Sequence, residues 1–257
     1  MSPHGLKHAK FGNDYFGLRG RAAMADADKI RNDIRLLLRT PWDERSGIVV
    51  PETQDVTLAR GAVNLEAAFL YADMADSTWF AQHWTREATA KVIRAFLNAS
   101  TQVIRDEGGA IRSFDGDRVM AIFVGDGKCS LAARCALKIN YAVTNIVHGE
   151  LKSYYTDYGT SRGIGHCTGI AVGDAMIVRG GVFGHNDLIS VGSAPNVAAK
   201  LSALRTGAPT YVTEAVYTQL DQASRVGSDG RNMWVAETRS IAGAHMRLYR
   251  STYWWEL

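Results

Sequence analysis

A chain of 257 residues with 46% hydrophobic content can bury one large core, and its length suits a single domain with an extension. The net charge is +3, yet residues 1–40 hold eight Lys or Arg against four Asp, so the remainder is close to neutral and does not read as a nucleic-acid binder. Three cysteines with no Cys-x-x-Cys argue against a disulfide framework or a structural zinc site, and no apolar run is long enough to span a bilayer, so a cytoplasmic protein is expected.

Residues 1–14 are polar, and His4 and His8, though spaced as helical metal ligands, read as part of a loose terminus. Met24, Ile30, Ile34, Leu37 and Leu38 give helical spacing over 22–39, and Pro41 stops it. Such a helix either packs on the domain that follows or pairs with its copy in a dimer. Two prolines and two glycines over 40–64 read as a connecting arm. The chain thus divides into an N-terminal helical extension with its arm, 1–63, and one folded domain, 64–257.

In that domain the apolar run Ala67-Ala68-Phe69-Leu70-Tyr71-Ala72 reads as a central strand that ends at Asp73. A helix is expected from Thr78 to Asp106, with Ser77 as N-cap and Gly108-Gly109 as terminator. Two strand-like runs then flank Asp115-Gly116, a strong hairpin signal, and the turn lifts Asp117 to the rim of a sheet. A second helix is expected from Ser130 to about His148, followed by a strand pair, a strand, a helix, a strand, a helix and strands. Strands and helices that do not strictly alternate favour an α+β fold with a mixed, mainly antiparallel sheet.

If the hairpin pairs beside the first strand, Asp73 and Asp117 converge. Two anionic oxygen ligands on rigid elements suit Mg²⁺ or Mn²⁺, and phosphate chemistry goes with those ions. Taken singly, each aspartate reads as a strand-end cap or a turn residue. Free N–H groups at the helix start, around Ser77 and Thr78, suit an anion near Asp73, although the Asp76 carboxylate works against one there.

Four segments in order resemble the class III nucleotide cyclases: Phe69 to Thr78, Phe114 to Phe123, Gly163-Ile164-Gly165-His166-Cys167-Thr168-Gly169, and Val191 to Leu201. The wording Arg-Ser-Phe-Asp-Gly-Asp-Arg and Ala-Pro-Asn-x-Ala-Ala-Lys-Leu is most similar to the Pycsar pyrimidine cyclases of bacterial antiphage defence. The resemblance covers roughly residues 64 to 250. It implies a ferredoxin-like sheet with helices on one face and two metal ions per site held by Asp73, Asp117 and the Met74 carbonyl. It also implies a homodimer whose sites are shared between chains, and a cyclic nucleotide product that acts on a separate effector. Asn196 and Lys200, at i and i+4 on one helix face, take the roles of the catalytic asparagine and the transition-state cation. The family has Arg where this chain has Lys200, so the point charge is kept without the bidentate fork. The family's triphosphate lysine near the last strands has no counterpart at Ile241-Ala242-Gly243, and Arg239 and Arg118 are the candidate substitutes.

The base pocket departs further. Adenylate cyclases carry Lys and Asp or Thr where this chain has Ser113 and Ile189. An unpaired buried polar edge costs roughly 1–3 kcal/mol, so adenine is disfavoured. Arg112 offers donors that match the two carbonyls of uracil, provided the hairpin is bulged, since adjacent strand residues otherwise face opposite sides. His166 reads as a core or supporting histidine. Three functions are weighed: a pyrimidine cyclase turning UTP (alternatively CTP) into the 3′,5′-cyclic nucleotide, a silent cyclase-like module, and an adenylate or guanylate cyclase. Asp73, Asp117, Asn196 and Lys200 argue against the second, and Ser113 with Ile189 against the third.

Overall fold

The computed structural model describes residues 26–155, 163–182 and 184–257. It separates into two compact units, Met1–Pro41 and Trp42–Leu257. In the first, helix α1 (Ala27–Arg39) starts where the Asp26 carboxylate accepts from the Asp28 N–H, and none of its residues is buried. His4, His8 and Met24 lie outside the described residues.

The second unit is built on a nine-stranded sheet. Strand β1 (Asp43–Ser46) runs parallel to the start of β2 (Gly61–Ala75), pairing Asp43 with Gly61 and Ser46 with Asn64. The stretch that reads as a connecting arm is therefore joined to the sheet, and the folded unit begins at Trp42 rather than at residue 64. After β2 come helices α2 (Ser77–His83) and α3 (Arg86–Asp106), and then strands β3 (Ala110–Asp115) and β4 (Arg118–Phe123). Helix α4 (Lys128–Tyr141) follows, and it continues through a π-helical turn into α5 (His148–Tyr154). Strands β5 (Gly165–Val182) and β6 (His185–Val191) form a hairpin that leads into helix α6 (Ser193–Ser202). Strand β7 (Thr210–Thr213), short helices α7 (Glu214–Thr218) and α8 (Gln222–Arg225), and strands β8 (Val235–Ile241) and β9 (Ala244–Ser251) complete the unit. Along the sheet the order is β3-β4-β2-β5-β7-β9-β8, and β5–β7 is parallel whereas the other pairs on that path are antiparallel.

The central strand β2 is buried on both faces, and its period of two divides the core. Ala68, Leu70, Ala72 and Met74 pack with α3 and α4, whereas Val63, Leu65, Ala67 and Phe69 pack with α6. The long helices thus share one face, and α6 covers the other.

Two expected helices differ from the structure. The helix expected over Thr78–Asp106 is broken at Trp84, because Thr85 caps a new helix by accepting from the Ala88 N–H at 3.2 Å. The break is stabilised where the Thr89 hydroxyl donates to the Phe80 carbonyl, 3.1 Å away. The second helix starts two residues before Ser130 and runs on to Tyr154 through the π-helical turn Ala142–Val147. The three cysteines are free and buried.

The Gly163–Gly169 stretch resembles a family strand with the spacing Gly-Ile-x-x-Gly, and that spacing falls in full on Gly169-Ile170-Ala171-Val172-Gly173 inside β5, starting six residues after Gly163. The first glycine of that run sets the depth of α6. A Cβ on Gly169 would lie 2.3 Å from the Ala198 carbonyl oxygen and 2.4 Å from the Ser202 nitrogen, so only a bare backbone lets helix and sheet approach this closely. Gly169→Ala is expected to cost about 2–3 kcal/mol, the upper part of the overpacking range. It should appear as a lower urea midpoint together with a fall in catalytic rate, since α6 carries Asn196 and Lys200.

Candidate active site

Strand β2 delivers Asp73 to the sheet's end with a side chain that is 13% exposed. Strand β4 lies beside it, with Asp73 opposite Arg118, and the Met74 N–H donates to the Asp117 carbonyl at 3.3 Å. The hairpin tip is thereby docked on the end of β2. Its two-residue loop is Gly116-Asp117, closed by the Asp115–Arg118 pair, with Gly116 at φ 62°. Glycine at the first loop position and a positive φ there are what a tight hairpin demands. The loop lies one residue later than Asp115-Gly116 suggests, which places Asp117 at the tip itself.

The Asp73 carboxyl is held above the ordinary aspartate range, chiefly by burial. The charge and hydrogen bond of Arg205 oppose that rise, and the Asp117 charge adds to it. Arg205 follows α6, and no motif marks it in the sequence. Its guanidinium donates from Nη2 to Asp73 Oδ2 at 3.0 Å and to the Met74 carbonyl at 3.3 Å, and from Nη1 to the Ser202 carbonyl at 2.7 Å. Two carboxylates and a backbone carbonyl are hard oxygen donors, a set whose chemistry fits a divalent cation such as Mg²⁺ or Mn²⁺. Among the described residues no group of three or more His, Cys, Asp and Glu side chains gathers, so the candidate set here is two carboxylates and a backbone carbonyl.

Ser77 and Thr78 open α2, and Asp76, at φ 60°, is the N-cap in place of Ser77. On α6, Ala194, Val197, Ala198 and Leu201 are buried against the sheet, which leaves Asn196 and Lys200 side by side on the exposed face. Among the described residues neither bonds to Asp73 or Asp117 of the same chain. Of the two cations considered for the triphosphate, Arg118 is held by Asp115 at 2.6 Å and lies over the Tyr71 ring. Arg239 is held by Glu237 and Thr206. His166 is buried where β5 begins, opposite Met74 and beside the Phe96 ring, and burial lowers its pKa to about 4.

A second feature lies on the face that α6 covers. Ile111 pairs with Ala121 and Ser113 with Met120, so Arg112 is the extra residue of a β-bulge in β3. Arg112 and Ser113 consequently line one cavity of about 210 Å³, with Ile189 and Ser190 of β6 and with Tyr71, two residues before Asp73. Met120, Ile122, Ile177 and Leu188 supply its apolar wall. The Arg112 side chain is 11% exposed and pairs with Glu52 at 3.5 Å. The three residues expected to read the base are brought together here. Tyr71 joins them in the cavity and Glu52 holds Arg112, and only the fold reveals either.

No protein-family model matches the chain. A protein named uridylate cyclase from Rhodovulum sp. (strain MB263) is 42% identical over 234 residues, which span 90% of this chain and 98% of that protein. Another of the same name from Burkholderia cepacia is 37% identical over 90% of this chain and 99% of its own length. Among solved structures, the guanylyl cyclase Cya2 superposes with a TM-score of 0.62 at 18% identity, over 75% of this chain and 94% of that one. The fold is therefore the class III cyclase fold, and the sequence relatives narrow it further. The chain belongs to the class III nucleotide cyclases, in the group whose named members are uridylate cyclases.

Proposed function

We propose that the enzyme converts UTP to 3′,5′-cyclic UMP and pyrophosphate, and that the product signals to a separate effector in antiphage defence. The observation that carries the base assignment is the bulge, which turns Arg112 and Ser113 into one pocket. Uracil presents a carbonyl on each side of N3–H, and a guanidinium can donate to one of them. Cytosine replaces that carbonyl with an amino donor, which leaves the Arg112 N–H facing another donor. Ile189 offers adenine's amino group no acceptor.

For the chemistry, the ribose 3′-oxygen attacks the α-phosphorus and the bond to the β-phosphate oxygen breaks, so pyrophosphate leaves. Bound divalent ions would lower the pKa of the 3′-hydroxyl and neutralise phosphate charge, with Asp73, Asp117 and the Met74 carbonyl holding them. Lys200 places positive charge beside the pentavalent phosphorane, and Asn196 orients the ribose or the α-phosphate. Both side chains lie on the exposed face of α6 and, among the described residues, neither bonds to its own chain's Asp73 or Asp117, which supports a homodimer in which one protomer's Asn196 and Lys200 complete its partner's carboxylate pair. Among the described residues no helix is long and apolar enough to cross a membrane.

The test is to incubate purified protein with Mn²⁺ and each of the four nucleoside triphosphates and to identify the products. UTP should give the highest kcat/KM, CTP the next, and ATP and GTP values at least about tenfold lower. Arg112→Ala should lower kcat/KM for UTP by about 10–100-fold, the range of a hydrogen bond to a charged donor, and should shrink the UTP-to-CTP ratio. An ATP preference in the wild type would remove the pyrimidine assignment.

A further inference from the structure

We propose that Arg205 is the residue that binds the β- and γ-phosphates of the substrate and then the pyrophosphate product. This rests on the cyclase reading and supplies the cation missing where the family keeps its lysine.

Position is the first support. From the loop after α6 the guanidinium crosses to the end of β2 and donates to Asp73 Oδ2 and the Met74 carbonyl at 3.0 and 3.3 Å. Those are the oxygens assigned to divalent cations, so metal and guanidinium compete for the same acceptors. A guanidinium turned off them has somewhere to go. Arg205 also lines a cavity of about 540 Å³ that begins one residue past Met74, at Ala75 and Asp76, and reaches Gly165, His166 and Gly207.

The chemistry of that cavity is the second support. His166 Nε2 is buried without a hydrogen-bond partner. The ring also lines the cavity, and an imidazole N–H can donate to a phosphate oxygen there. Asp76, the carboxylate of the lining, works against an anion, and Arg205 is the cation of the same lining that offsets it. The neighbouring cations are committed elsewhere, Arg118 to Asp115 and Arg239 to Glu237 and Thr206. A planar fork of N–H donors is also the geometry that grips two phosphate oxygens at once.

The experiment is calorimetric titration of the full chain with Mn²⁺ alone and then with pyrophosphate in the presence of Mn²⁺, for wild type, Arg205→Ala and Arg205→Lys. Circular dichroism checks the fold of each. Arg205→Ala should weaken pyrophosphate binding at least about tenfold and Arg205→Lys less, while Mn²⁺ alone binds as well as before or more tightly because its competitor is gone. In kinetics with UTP the KM should rise. Pyrophosphate affinity within about twofold of wild type in folded Arg205→Ala overturns the proposal. So does a parallel loss of Mn²⁺ binding, which would make Arg205 a support for Asp73. If Arg205→Ala does not fold, Arg205→Lys decides in the same way, and unchanged affinity overturns the proposal. Formation of cyclic UMP with no effect of Arg205 on pyrophosphate sinks this assignment alone. Arg205-dependent pyrophosphate binding without any cyclic product sinks the cyclase reading instead.

Discussion

Asp73→Ala and Asp117→Ala are each expected to lower cyclic-nucleotide formation by at least about 10³-fold, equivalent to about 4 kcal/mol of transition-state stabilisation. The fold should survive both changes. Asp117 sits in a two-residue loop whose docking on β2 runs through its backbone carbonyl, which alanine keeps. Asp73 is mostly buried, but its partner Arg205 is 40% exposed and can turn to water, so the lost ion pair costs only about 1 kcal/mol. The measurements are product formation from UTP under saturating Mn²⁺, alongside thermal melting. Near-normal turnover in either folded variant would show that the carboxylate pair is a structural turn feature and not a metal site.

The second large effect is a recovery. Asp117→Ala and Asn196→Ala should each be inactive as homodimers, since every shared site then lacks a member. Co-expressed with different tags and purified as verified heterodimers, they should regain about half of wild-type activity, because one site in each dimer draws its carboxylates and its asparagine from the two unmutated halves. The reason lies on α6, where burial of Ala194, Val197, Ala198 and Leu201 forces Asn196 and Lys200 to face outward. Inactive heterodimers built from two folded variants would overturn the shared-site arrangement.

The sequence carried the strand ending at Asp73, the hairpin beside it and the face shared by Asn196 and Lys200, because each is a local pattern: an apolar run, a glycine turn and an i, i+4 spacing. Other features lay beyond local pattern. The break at Trp84 is hidden because Trp79, Phe80 and Trp84 keep helical spacing right up to it, and the Thr85 cap is a single hydroxyl among many. Arg205 stands 132 residues from Asp73 in the chain, so a bond between them exists only once α6 has been seated on β5. Glu52 likewise reaches Arg112 across 60 residues. No local pattern marks the bulge at Arg112, since strand propensity does not register one extra residue.

That extra residue has a consequence for how such an enzyme can change. From Ser113 to Asp115 the strand stays in step with β4, and this registration carries Asp117 to its place beside Met74. Arg112 is the extra residue at the offset and has no partner in that register. On the proposed reading, the residue that distinguishes uracil from cytosine is the one the ladder leaves unpaired, so the base contact can change in descendants while the hairpin that carries Asp117 keeps its register.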